Sequence, residues 1–227
     1  MRLIKHFFAA FSLGLLALSA GATPANPQNG VDYRTLEKAQ STDSGKKVEV
    51  TEFFWYACPH CYALEPSLHD WVKKQGERIV FKRVPVAFRD SFVPQQKLYY
   101  TLEALGEVER LHGKVFSAIH AERQALNTDA LITDFIVKNG IDKKKFLDVY
   151  NSFGVQTKAK RATQLQADYK VDGVPMIAIG GRYITSPSIV GAAMGNQPET
   201  ALHTASLQVM SHLVARAEKE MGGNGKK

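Results

Sequence analysis

Apolar and polar positions along the chain follow two rhythms. Over residues 47–55, Val48, Val50, Phe53, Phe54 and Trp55 form a dense apolar run of strand length, which reads as a buried strand. Directly beyond it the period changes. Cys61, Leu64, Leu68, Trp71 and Val72 recur three and four residues apart and mark one apolar face of a helix. Pro59 suits the first turn of that helix, where its missing N–H costs nothing. Pro66 lies inside the pattern and is expected to kink the helix near Tyr62, whose carbonyl its ring would meet. Residues 79–88 read as a second strand, interrupted by Pro85.

The helical period then holds for about 80 residues. Segments 97–112, 115–123, 128–139, 142–152 and 157–170 all repeat at three and four. Thr128 is placed as an N-cap, and Gly140 as a C-terminal stop. Phe146, Tyr150 and Phe153, at i, i+4 and i+7, are expected to supply this block with a small core of its own.

Strand character returns at 174–179. A Gly180–Gly181 turn follows, then Arg182, Tyr183 and Ile184, which together predict a β-hairpin. A last helix is expected over 199–220, with Leu202, Ala205, Val209, Leu213 and Ala217 on one face. Residues 23–30, rich in proline and glycine, read as an extended arm, and 222–227 as a disordered tail. If 91–168 is an inserted helical domain, the remainder (23–90 and 169–221) is β-α-β followed by β-β-α. That is a four- or five-stranded sheet flanked by helices. An α/β unit with C-x-x-C at a strand-to-helix junction is thioredoxin-like.

The N-terminus changes the setting. Arg2 and Lys5 precede an uncharged, mostly apolar run over 7–18, and Ala20-Gly21-Ala22 offers small residues for cleavage. This is the layout of a secretory signal peptide over 1–22. The run is too short for a membrane span, which needs about 20 apolar residues. Removing Arg2 and Lys5 leaves a formal +5 of the +7. With no basic cluster, that balance does not point to nucleic acid.

Export implies an oxidising compartment, so two cysteines imply a disulfide. A bridge from Cys58 to Cys61 closes a very short loop and removes little unfolded-state entropy. Such a pair is better explained by reactivity. Exchange needs a thiolate. Cys58 sits where the helix begins, among unpaired N–H groups and the positive end of the dipole, and is therefore the expected nucleophile. Cys61 lies one turn on, at the head of the apolar stripe. Its Cβ would be about 5–6 Å from that of Cys58 in an undistorted helix, against about 4 Å in a disulfide. It is the expected resolving cysteine. His60, between them, is expected to stabilise the thiolate further. Stabilising the thiolate stabilises the reduced protein, so the pattern predicts an oxidant. Metal binding is disfavoured, because zinc usually takes four ligands and His69, His112, His120, His203 and His212 are scattered. Haem attachment fails because Tyr62 follows Cys61. The redox pair itself is the only cofactor expected.

The stretch Glu52-Phe53-Phe54-Trp55-Tyr56-Ala57-Cys58-Pro59-His60-Cys61-Tyr62 closely resembles the active-site segment of the DsbA family of bacterial periplasmic oxidases. The resemblance continues through Phe81-Lys82-Arg83-Val84-Pro85-Val86-Ala87-Phe88, the helical block and Gly173-Val174-Pro175. It implies a thioredoxin-like fold with an inserted helical domain, and a periplasmic protein. Val174-Pro175 would be a cis-proline loop against the disulfide. Glu52 would be a buried acid beneath it, with Lys82 or Arg83 as basic partner; the register leaves that choice open. Trp55 and Tyr56 would contribute to a peptide-binding surface. Substrates would be newly exported, reduced polypeptides, and a quinone-linked inner-membrane protein of the DsbB type would restore the disulfide. Nothing demands more than a monomer.

Two rival functions stand beside this one. A thioredoxin-like isomerase or reductase shares the motif. An isomerase of the DsbC kind would carry an N-terminal dimerisation domain, for which the about 25 residues between the expected signal peptide and the first core strand are too few. A non-catalytic peptide-binding holdase, with incidental cysteines, comes from a different class.

Overall fold

The computed structural model describes residues 25–224. The expected signal peptide and the last three residues of the expected tail lie outside the described residues. Strand β1 is Arg34–Thr35 and β2 is Val48–Phe54. Helix α1, Pro59–Gln75, is followed by β3, Ile79–Pro85. The helical stretch comprises α2 (Val93–Leu105), α3 (Val108–His120), α4 (Asp129–Lys138), α5 (Lys143–Tyr150) and α6 (Phe153–Asp168). Strands β4 (Met176–Ile179) and β5 (Tyr183–Thr185) precede α7 (Pro187–Met194) and α8 (Glu199–Asn224).

The five strands form one sheet in the order β1-β5-β4-β2-β3. β2 lies parallel to β3 and antiparallel to β4, and every one of its residues is buried. That is why its sequence reads as a nearly continuous apolar run instead of an alternation. β4 and β5 form the expected hairpin, with Gly180 and Gly181 both at positive φ. The β-α-β plus β-β-α order around a mixed sheet is the thioredoxin-like arrangement.

One apolar cluster joins Phe53, Phe54, Cys61 and Val84 to Leu98, Phe116, Ile136 and Phe146 of the helical stretch. The other packs Val48, Val50, Leu64 and Leu68 against Val209, Met210 and Leu213 of α8. Each face of the sheet therefore has its own helical cover.

Several boundaries differ from the sequence reading. The first helical break falls at Gly106, not at Gly113. Gly106 takes φ +74, and the Glu107 N–H reaches back to the Leu102 carbonyl, a left-handed cap that ends α2. α3 then runs straight through Gly113, which a helix tolerates at about 1 kcal/mol. Phe153 is 85 % exposed and does not join Phe146 and Tyr150 in the core. The chain leaves the helix after Tyr150, and Ser152 caps a new one, so the i+7 relation does not carry across. β3 ends at Pro85, earlier than the reading to 88; as an edge strand it tolerates the missing N–H there, and the Val86 N–H still donates to the Phe54 carbonyl at 2.8 Å. Residues 26–33 are a tight loop and not an extended arm, because Asp32 accepts from the Gln28 N–H and Gly30 donates to the Tyr33 carbonyl. Residues 222–224 belong to α8 instead of a disordered tail, since extending an existing helix adds a hydrogen bond for each residue fixed. β1 and α7 were not anticipated.

Candidate active site

β2 delivers the chain to the head of α1, and the turn between them builds the site. The Cys58 N–H donates to the Trp55 carbonyl at 3.0 Å, closing that turn. Cys58 is the N-cap of α1, with extended backbone (φ −81°, ψ 116°), and its sulfur accepts from the Cys61 N–H at 3.4 Å. Cysteine thus takes the place usually held by Ser, Asp or Asn, whose side chains satisfy a free helix donor. Pro59 occupies the first turn. Both cysteines are free thiols, Cys58 6 % exposed and Cys61 fully buried.

The two thiols are driven apart in acidity. Cys58 is lowered to about 6, first by the hydrogen bond from the Cys61 thiol, then by the backbone N–H groups of Cys61 and His60 and by the charge of His60. Burial opposes these effects and loses. Cys61 moves the other way, because burial and the adjacent Cys58 sulfur disfavour its anion.

Opposite the motif, the Val174–Pro175 peptide bond is cis, and the Cys58 thiol donates to the Val174 carbonyl at 3.3 Å. A groove of about 270 Å³ opens beside this contact, lined by His60, Val174, Pro175, Pro187, Ser188, Gln197, Glu199 and Leu202. Ser186 caps α7 by accepting from the Ile189 N–H, which fixes the Pro187–Ser188 wall. His60 is exposed, and its Nδ1 lies 2.7 Å from Glu199 Oε1, a contact that raises its pKa.

Beneath the cysteines lies a buried charged chain. Glu52 accepts from Arg83 Nε at 3.0 Å, and Arg83 also donates to Glu65 at 2.8 Å. The parallel register sets Glu52 beside Arg83, while Lys82 sits across from Thr51 and pairs with Asp43 and Glu49. The open choice of basic partner is therefore Arg83. Burial pushes Glu52 up to about 7 despite the guanidinium. Glu65 Oε2 and His112 Nε2 stand 3.5 Å apart, within ion-pair range but unsatisfied as hydrogen-bonding groups. The Tyr56 hydroxyl is 2.9 Å from His112 Nδ1.

The aromatic neighbours separate. Tyr56 is 1 % exposed and anchored on His112, so its side chain offers no surface to a peptide. That corrects the expectation for Tyr56; an aromatic next to a reactive motif had a core position available. Trp55 is half-buried, with its ring stacked on Phe92 at 3.7 Å. Glu65, His112, Phe92 and Glu199 escaped the sequence reading. Glu65 and His112 do leave a faint signal, as polar residues set among buried positions of amphipathic helices. Glu199 leaves none. Among the described residues, no three His, Cys, Asp or Glu side chains are grouped to hold a metal.

A family model for a DSBA-like thioredoxin domain matches residues 49–206. The thiol:disulfide interchange protein DsbA of Burkholderia cepacia is 48 % identical over 185 residues, covering 81 % of this chain and 87 % of that protein. Its Bordetella pertussis counterpart is 40 % identical over 214 residues, covering 94 % and 97 %. The crystal structure of Pseudomonas aeruginosa DsbA superposes with a TM-score of 0.71 at 34 % identity, over 82 % of this chain and 95 % of that one.

Proposed function

Because this chain belongs to the DsbA family of thiol:disulfide interchange proteins and is an oxidoreductase, we propose that Cys58 and Cys61 carry the exchange and that reduced, newly exported polypeptides are its substrates. A substrate thiolate attacks Cys58 Sγ of the oxidised pair, breaking the Cys58–Cys61 bond and releasing the Cys61 thiolate. A second substrate thiolate then attacks the substrate sulfur of the mixed disulfide. The substrate dithiol loses two electrons and gains a disulfide, and the enzyme pair becomes the dithiol. Cys61, too buried to remain an anion, takes up a proton; Cys58 leaves as the thiolate. Glu52, whose acidity lies near neutral pH, is the group suited to supply that proton, with Arg83 moderating it.

The observation that carries this reading is the cap position of Cys58, whose sulfur faces helix N–H donors and titrates at about 6. A stabilised leaving thiolate makes the disulfide a strong acceptor, which favours oxidase over reductase or isomerase. Pro59 and His60 shape the turn and its charge, Val174 and Pro175 present backbone to a bound peptide, and the half-buried Trp55, stacked on Phe92 just before the motif, contributes to peptide binding. Helices α2–α6 are taken as a domain inserted over 91–168. We place the protein in the periplasm as a monomer after removal of a leader, with a DsbB-type membrane quinone reductase restoring the disulfide and no metal required.

The test is equilibration with a glutathione redox buffer alongside oxidation of a reduced, unfolded polypeptide. The enzyme disulfide should be largely reduced where ordinary structural disulfides persist, and Cys58→Ser should fold yet oxidise nothing. A disulfide resistant to glutathione would point to a reductase, and substrate binding unaffected by loss of both cysteines to a holdase.

A further inference from the structure

His60 and Glu199 are 139 positions apart in sequence, yet Nδ1 and Oε1 meet at 2.7 Å. The side chains are 69 % and 46 % exposed, so as a stabilising ion pair the contact is worth little. Its consequence has to be sought in what His60 does next to Cys58.

Three titratable groups face His60: Glu199 and His203 on α8, and Cys58 at the head of α1. His203 lies one turn beyond Glu199, with Nε2 3.7 Å from the same carboxylate oxygen. That nitrogen is buried and has no hydrogen-bond partner, and burial lowers its basicity. The carboxylate therefore has two imidazoles to choose from, and only the outer one can be charged cheaply. Glu199 itself stands in the groove wall with Val174, Pro175, Pro187 and Leu202. The polar groups acting on Cys58 Sγ are the Val174 carbonyl, the Cys61 thiol and N–H, and the N–H and ring of His60; Glu199 is not among them, so the carboxylate acts on the sulfur through His60.

Building on the function proposed above, we infer that Glu199 is a positioning residue for disulfide exchange, holding the His60 imidazole cationic and in place beside the Cys58 sulfur. Its sign is counterintuitive. Acting alone, a carboxylate near a thiolate would repel it. Acting through His60, it favours the thiolate, and so makes the oxidised enzyme the stronger acceptor.

That inversion of sign supplies the test. Cys58 alkylation would be followed against pH in reduced wild type, Glu199→Gln, His60→Gln and the double variant, with the His60 ring titrated by NMR and each glutathione equilibrium measured. Glu199→Gln should lower the His60 titration and raise the Cys58 midpoint by on the order of half a pH unit, about threefold in the thiolate-to-thiol ratio. The glutathione equilibrium should move toward the disulfide in step. In the His60→Gln background the same change should leave the Cys58 midpoint unmoved or lower it. Glu199→Asp, which keeps the charge, should restore part of the wild-type profile, as a merely structural role would not require. An unchanged or lowered midpoint in Glu199→Gln alone, or equal shifts in both backgrounds, would overturn the inference. A wild-type Cys58 titrating like free cysteine would instead refute the oxidase reading beneath it.

Discussion

At the scale of single residues, the chemistry comes from treating two identical thiols differently. Cys58 faces helix donors and a histidine; Cys61 faces the apolar core. Iodoacetamide should therefore label Cys58 of the reduced protein with a midpoint near pH 6, against its ordinary 9.0, while Cys61 stays unlabelled. A common midpoint for both would remove the asymmetry. Arg83 is the residue on which the buried charges depend. With Arg83→Met, Glu52 and Glu65 lose their shared cation in a site open to little water. Denaturant unfolding should lose about 3–5 kcal/mol, the usual cost of stranding a buried charge. A loss below 1 kcal/mol would mean the two carboxylates are already neutral or hydrated.

At the scale of elements, helix starts and tight turns hold the groove in place. Ser186 caps α7 and so fixes the wall carrying Pro187 and Ser188. Ser186→Ala should cost about 1 kcal/mol, and binding of an extended peptide should weaken with it. Normal peptide affinity in the destabilised variant would detach α7 from recognition. The hairpin turn is stricter. Gly181 has φ +66, and a Cβ there would come within 2.2 Å of the Gln40 carbonyl oxygen. Two backbone segments would have to separate, so Gly181→Ala should lower the thermal midpoint by more than the Ser186 change does. Gly140, also at positive φ but with open space around it, is the control.

For the whole molecule, the shifted thiol links redox state to stability. The folded pKa of Cys58 lies below its unfolded value, so its stabilisation of the reduced protein is full above about 9 and is lost as pH falls through about 6. Glu52 has the opposite sign. Its folded value, near 7, exceeds the ordinary 4.5, so its contribution declines as pH rises across that window. Comparing reduced wild type with reduced Cys58→Ser isolates the thiol. The wild-type advantage should grow from pH 6 toward pH 9 and level off below 6, as read by urea unfolding. A constant difference would contradict the depressed thiol.

The strand, the C-P-H-C turn and the helix beyond it were decided by local sequence, because a cap, a first-turn proline and an i, i+3 pair depend only on neighbours along the chain. The apolar stripes of α1 and α8 were legible for the same reason, and their burial follows the period. Other features were set only when distant segments met. Period-two alternation cannot say whether Lys82 or Arg83 reaches Glu52 until the register with β2 is fixed. Tyr56 turned inward because α3 brought His112 beneath it. The two-residue β1 exists only as a partner for β5. Glu199 bears on the thiolate solely because α8 starts beside the motif, and an interaction across 139 residues leaves no periodic trace in the sequence.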